Sequence, residues 1–348
     1  MKRTVRDKRG AGGPATIHDV ANAAGVSIAT VSRVLAGNYP VAEATRVRVL
    51  KAVTKLDYTA NVHARRLLGV APGPIAVLLG DITGPSFAAL ARGVEREAYN
   101  RERLCLIGTT DGDPERELAL VETMRQQQAA AVILPGGAWD LDEYPQQMAR
   151  YARSLRAVGG RIVLCGRPPL DEPAPNAISV RYDNEAGAAA VARVPLQAGH
   201  RRFLLLPGPA GLSTAEERLA GYRSALTGAE VLVRRAEFHR EAAREAVLAA
   251  LDEHPTGFTA VLCGTDVMAA GALEGLRSRG LRCPEDVSVT GYDDIPGARD
   301  MNPALTTVRV PYEEMGALAV TLALAESAPA TQLLETRVVI RDSVAPPA

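Results

Sequence analysis

The sequence predicts a small helical head followed by a mainly parallel α/β body of two stacked subdomains. Three observations carry this. Residues 16–58 are patterned at helix period throughout, and beyond Gly73-Pro74 short apolar runs alternate with longer amphipathic stretches. The charge divides near the same place. Residues 1–69 carry 12 Lys and Arg against 4 Asp and Glu, so the zero net charge of the 348-residue chain is a basic head set against an acidic body. A basic end of that kind is what phosphate binding requires. Lys2 to Arg9 supply five of those positive charges, and the other seven lie within patterned sequence.

Composition removes several classes. At 47% hydrophobic, 4% aromatic and 23% charged, the chain reads as an ordinary water-soluble globular protein. No apolar run approaches the roughly 18–20 residues of a membrane span. The basic N-terminus is followed by Gly, Ala and Pro rather than an apolar stretch, so no signal peptide is expected. Cys105, Cys165, Cys263 and Cys283 are far apart with no C-x-x-C pair, which argues against a disulfide framework or zinc site and for the cytoplasm. There is no Walker A, G-x-S-x-G or H-E-x-x-H motif, and His18, His63, His200, His239 and His254 lack metal-ligand spacing. No enzyme activity, metal or cofactor is expected. His200 reads as capping the helix before it.

Taken in order, residues 1–15 are basic, Gly/Pro-rich and without periodicity, and read as a disordered tail. In 16–58, Ile17, Val20, Ala21 and Ala24 share one helical face. Gly25 suits the positive φ of a tight turn, Val26 packs into the corner, and Ser27 caps a second helix from Ile28 to Leu35. Val31, Val34 and Leu35 turn inward there, leaving Ile28, Ala29, Ser32 and Arg33 outward. A third helix, Glu43 to Leu56, is expected to close the core through Val49, Leu50, Val53 and Leu56. Small residues at these offsets allow the steep crossing of a helix-turn-helix. Residues 59–72 form a linker in which Asn61 can cap a two-turn segment to Leu68, too short to persist in water without a partner.

From residue 73 the predicted strands are Ile75–Leu79, Leu104–Gly108, Ala130–Leu134, Ile162–Cys165, Ile178–Val180, Phe203–Leu206, Ala260–Cys263 and Val287–Thr290. The helices between them include 87–100, 115–128, 185–198, 215–226, 241–253 and 267–279. Such alternation means parallel sheets, and the length of 73–348 favours two subdomains, roughly 73–178 and 179–306, with the C-terminal segment crossing between them. Ligands in such sheets bind beyond the carboxyl ends of strands. Asp81, Phe87, Arg167, Arg218, Thr265, Asp266 and Asp293 all follow strand ends or the loops after them. Carboxylates and guanidinium groups there suit a polyol, because they hold vicinal hydroxyls through paired hydrogen bonds.

Thr16-Ile17-His18-Asp19-Val20-Ala21, Ala24-Gly25-Val26-Ser27, Thr30-Val31-Ser32-Arg33-Val34-Leu35 and Thr45-Arg46 resemble the DNA-binding head of the LacI/GalR family of bacterial transcription regulators. In the body, Gly199-His200-Arg201-Arg202, Arg218-Leu219-Ala220-Gly221, Gly291-Tyr292-Asp293-Asp294 and Pro303-Ala304-Leu305-Thr306-Thr307 are similar to that family's periplasmic-binding-protein-like core. The resemblance runs from about Thr16 to Val344. It implies a ligand-responsive regulator, most simply a repressor, that binds palindromic operator DNA as a homodimer and takes a sugar or nucleoside-like effector.

By residue, it implies DNA contacts from Thr16, Ser27, Ile28, Ala29, Thr30, Ser32 and Arg33, with Arg33 suited to guanine and Ile28 and Ala29 to thymine methyls. It also implies a hinge helix whose Asn61, Ala64, Arg65 and Leu67 enter the minor groove, Leu67 as a wedge, although Ala60 stands where the family usually has Pro. In the cleft, Phe87 would stack on the effector and Arg218 and Asp293 would hydrogen-bond it. Replacing either of the last two is expected to silence the ligand response and leave folding intact. The competing reading is a small-molecule-binding protein or sugar-processing enzyme of the same α/β build, its head serving protein contacts. DNA binding at low salt separates the two.

Overall fold

A computed structural model describes residues 15–36, 39–58, 72–139, 144–170 and 176–347. Residues 1–14 of the expected tail and the hinge residues Asn61, Ala64, Arg65 and Leu67 lie outside them. The chain divides into two units between Pro72 and Gly73.

The head is α1 (Ile17–Ala24), α2 (Ile28–Ala36) and α3 (Glu43–Lys55). Thr16 caps α1, its backbone N–H and hydroxyl both donating to Asp19 Oδ2, at 2.8 and 2.7 Å. Gly25 takes φ +65°, the conformation that lets the chain turn at once into α2. Ser27 Oγ then accepts from Thr30 N at 3.2 Å. Val20, Ala21, Ala24, Val31, Val49 and Ala52 form the buried centre. Leu50 departs from expectation: it is 43% exposed, and Ala52 sits inside instead. A methyl at that position lets α3 approach α1 closely, whereas Leu50 points about a quarter-turn off the inward stripe.

Along the second unit come β1 (Ile75–Leu79), α4 (Pro85–Asn100), β2 (Cys105–Thr109), α5 (Pro114–Gln126), β3 (Ala131–Pro135), α6 (Tyr144–Arg156), β4 (Arg161–Cys165) and β5 (Ala177–Tyr182). Then follow α7 (Asn184–Gln197), β6 (Arg202–Leu206), α8 (Ser213–Ala225), β7 (Glu230–Val233), α9 (Arg240–Glu253), β8 (Ala260–Cys263), α10 (Asp266–Ser278) and β9 (Ser288–Thr290). The unit ends with β10 (Thr307–Arg309), α11 (Tyr312–Leu324), β11 (Thr331–Leu334) and β12 (Arg337–Val339).

One sheet is wholly parallel in the order β11-β5-β4-β3-β1-β2, a second is parallel in the order β7-β6-β8-β9, and β10 pairs antiparallel with β12. Every residue of β1 is buried, as a parallel strand covered on both faces must be. Ile75, Val77 and Leu79 face the core shared with α4 and α11, while Ala76 and Leu78 face the core of α5 and α6. The change of subdomain expected at 178/179 falls inside β5. That strand pairs with β4 as far as Cys165↔Val180 and stays in the first sheet to Tyr182. The chain crosses to the second sheet there, returns through α11 and β11, and crosses again into β12. Among the described residues no helix is long and apolar enough to cross a membrane.

The C-terminal segment is pinned against β9. Val289 N donates to Ser343 O at 2.9 Å, Ser343 Oγ donates to Val289 O at 2.6 Å, and Ala345 N donates to Ser288 Oγ at 3.1 Å. The His200 side chain completes the clamp and does not cap a helix. At 1% exposure it bonds Thr259 Oγ1 and Ala345 O, each at 2.8 Å. Burial depresses its pKa below the ordinary 6.5, with the Ala345 carbonyl opposing. A depressed base is protonated first in the unfolded chain, so this stabilisation is complete above pH 6.5 and is lost as the pH falls through the lower folded value. The melting temperature of the wild type is therefore expected to fall more steeply between pH 7 and 5 than that of His200→Gln. Equal slopes would remove His200 from the account.

Candidate DNA interface and effector cleft

Part of the surface that the head's core leaves open is the N-terminal half of α2. Ile28, Ala29 and Arg33 are exposed there, Ile28 at 39%, and Ser32 is half-buried beside them. Their spacing puts them on adjoining rows of one helix face. The Ser27 and Thr30 hydroxyls bond one another at 2.9 Å, so both serve the cap as well as the surface. The Arg33 guanidinium lies 5.7 Å from the centroid of the exposed Tyr39 ring, a contact that steadies a long, flexible side chain. Tyr39 went unrecognised in the sequence because it sits in an unpatterned connection.

In the second unit, the carboxyl ends of β1, β3, β4, β5, β6, β8 and β9 open onto one cleft of about 770 Å³. Of the residues read from sequence, Asp81, Phe87, Arg167, Arg218, Thr265 and Asp293 line it. Asp266 does not. It is fully buried, accepting from Thr307 Oγ1 at 2.5 Å and from Ile295 N at 2.8 Å. Its carboxyl is pushed well above the ordinary range by burial and by the neighbouring Asp293. It ties β10 and the turn after β9 to the start of α10 and has no oxygen left for a ligand.

At the floor of the cleft, Arg218 is 3% exposed and held on all sides. Its Nε donates to Asn184 Oδ1 at 2.9 Å, Nη1 to Gly264 O, and Nη2 to Tyr182 Oη at 3.2 Å. The plane stacks 4.0 Å from the Tyr292 ring centroid, and Nη2 lies 3.6 Å from Asp293 Oδ1. Asp293 also accepts from Tyr312 Oη at 2.7 Å. Its backbone has φ +110°, a costly conformation for a non-glycine residue, held by its N–H donating to Val308 O at 2.8 Å. Burial raises the Asp293 carboxyl, while Arg218 and then Tyr312 pull it back.

Arg167 makes a two-pronged pair with Glu117, at 3.1 and 2.7 Å. Thr265 Oγ1 caps α10 through Met268 N at 3.2 Å. Asp81 accepts from Thr83 Oγ1 and Thr83 N, each at 2.7 Å, and these bonds hold it below the ordinary carboxylate range, with His239 adding to them. Glu117, Trp139, Tyr182, Phe238 and Tyr312 also line the cleft. Following the strand-end rule two residues past Val180 would have found Tyr182. Nothing local marks Glu117, whose partner is 50 residues away.

The chain matches the model of bacterial regulatory proteins of the lacI family over residues 16–61 and that of the periplasmic binding protein-like domain over 192–344. It is 37% identical over 314 residues to a ribose operon repressor of Bacillus subtilis strain 168, spanning 89% of this chain and 91% of that protein. A Lac repressor dimer bound to operator and the anti-inducer ONPF superposes with a TM-score of 0.81 at 25% identity, covering 96% of this chain and 100% of the other. A complex of the transcriptional regulator CelR with cellobiose gives 0.66 at 31% identity, covering 94% and 99%. With a helix-turn-helix head, a cleft between two parallel sheets and these relatives, the chain belongs to the LacI/GalR family and is an effector-responsive, DNA-binding transcription regulator rather than an enzyme.

Proposed function

We propose that this protein is a homodimeric repressor that docks the Ile28–Arg33 face on a two-fold operator and changes its hold when an uncharged sugar enters the cleft. One head offers a single recognition helix, and two-fold pairing doubles the sequence that is read. The relatives support the ligand class by what their names state: ribose operon repression and a cellobiose complex.

The charge balance of the cleft is what favours an uncharged ligand. The arginines lining it are already ion-paired: Arg167 with Glu117, Arg218 with Asp293, and Arg240 with Glu274. Asp81, Asp111, Asp113, Glu237 and Glu241 line it besides. A phosphate entering there would meet acid in excess and paired cations. A neutral polyol loses nothing to that field and can bond the carboxylates directly.

The test is a thermal-shift screen of the full chain against sugars, their phosphorylated counterparts and nucleosides. Each hit is carried into a gel shift on an operator selected from a random duplex pool. The expected result is a sugar that raises the melting temperature and alters operator affinity while its phosphate ester does neither. A phosphate ester that binds as well as its parent sugar would overturn the charge argument, and a monomeric mass on operator would overturn the dimer.

A further inference from the structure

We propose that Trp139 is a specificity-determining residue of the cleft, the indole on which one C–H face of an uncharged sugar ring lies. This rests on the sugar reading above. Trp139 is the only tryptophan in the chain, is 37% exposed, lines the cleft, and is not among the residues of the buried clusters. An indole left more than a third exposed forgoes the stabilisation that burying its apolar surface would bring. The exposure is not that of a loose loop, because the backbone carrying it is clamped.

Three contacts make the clamp. Trp139 and Leu212 form an antiparallel bridge, Ser213 N donates to Ala138 O at 2.8 Å, and Ala138 N donates to Ser213 Oγ at 3.0 Å. Gly137 is pressed so closely that a Cβ there would lie 2.9 Å from Leu212 Cγ and from Thr214 Oγ1. The segment after β3 is thereby fastened across the cleft to the start of α8. The backbone that carries the indole is thereby held before a ligand arrives, which lowers the ordering cost of presenting the ring.

The chemistry follows from what the ring is. An indole offers a flat apolar face and a single N–H donor, with no charge. It matches a ligand that is apolar on one face and hydroxylated at its rim. Such a ligand sets its C–H face on Trp139 while its hydroxyls reach the Arg218–Asp293 floor.

Because Trp139 is the sole indole, its fluorescence reports this contact directly. The full chain is titrated with ribose, glucose, galactose and cellobiose, following emission and melting temperature together. The expected result is a saturable emission change for each sugar that raises the melting temperature, with the same midpoint by both readouts. Trp139→Ala is expected to move the sugar midpoint in the operator gel shift at least tenfold, and Trp139→Phe less than threefold. Each midpoint is read relative to that variant's own affinity for sugar-free operator. A sugar that raises the melting temperature without altering emission overturns this assignment alone, as does a Trp139→Ala variant with the wild-type midpoint. Should Trp139→Ala not fold, the wild-type emission decides. If none of the sugars raises the melting temperature, the sugar reading falls and this assignment with it.

Discussion

Arg218→Ala is expected to destabilise the protein by about 3–5 kcal/mol and to abolish its response to effector, which is more than the sequence suggests. Read as a strand-end ligand contact, Arg218 could be removed without harm to the fold. In the structure it is a buried structural cation that also lines the cleft. Its removal leaves Asn184 Oδ1 and Gly264 O without the donors they now have, strips the Asp293 carboxylate of its cation while Tyr312 still donates to it, and takes a planar cation off the Tyr292 face. Asp293 suffers most, since burial already raises its carboxyl and Arg218 is the chief opposing influence. With the cation gone, the carboxyl either takes up a proton or stays charged at a desolvation cost. Arg218→Met, which fills the volume and removes the charge, should lose less than Arg218→Ala although Asp293 is equally unpaired. Asp293→Asn retains the Tyr312 contact and should unfold near the wild type. Urea unfolding of the three variants measures this, and a loss below about 1 kcal/mol for Arg218→Ala would show that the cleft floor is not built around the cation.

How much of this was legible depended on whether the cause was local. Gly25 and Ser27 act within three residues of themselves, and the turn and cap stand as the sequence implied. Asp81, Arg167 and Asp293 were found because a strand end is visible as the point where an apolar run stops, and six of the seven residues so marked reach one cleft. Asp266 shows the limit. It too follows a strand, yet its direction is set by Thr307 and Ile295, 41 and 29 residues later in the chain. The same holds for Leu50, whose apolar character is plain but whose angle on α3 puts it outside. Elements with weak local signal escaped altogether. Helix α11 is apolar almost all round and shows no face, and β7, β11 and β12 lie at edges or in a small ribbon, where partial exposure breaks up the apolar run. The first crossing is therefore displaced to Tyr182, and the later one, expected in the C-terminal segment, has no element assigned to it in the sequence; Tyr182 and Tyr312, which sit on those crossings and complete the cleft, go unmarked with them.

Arg33→Ala is expected to weaken the selected operator by about 1–3 kcal/mol, or roughly 5- to 150-fold, and to flatten the preference at one base pair in each half-site. Arg33 is the exposed cation on a face otherwise made of Ile28, Ala29 and Ser32, which can offer methyl contacts and one hydroxyl but no two-pronged donor. A guanidinium presents two parallel N–H groups that match O6 and N7 of guanine, so a preference of this face for a G·C pair would rest on that one side chain. Tyr39 bears on the same result. With its ring 5.7 Å from the guanidinium carbon, it limits the rotamers Arg33 samples before DNA arrives. Tyr39→Ala should then weaken the operator by less than Arg33→Ala while leaving the preferred base unchanged, because the donor remains and only its preorganisation is lost. The two variants separate reading from steadying. Selection from a random pool with each variant, together with the salt dependence of binding, decides the matter. If Arg33→Ala lowers affinity equally for all sequences and reduces the salt slope by about one, the guanidinium lies on a phosphate and the base is read by another residue.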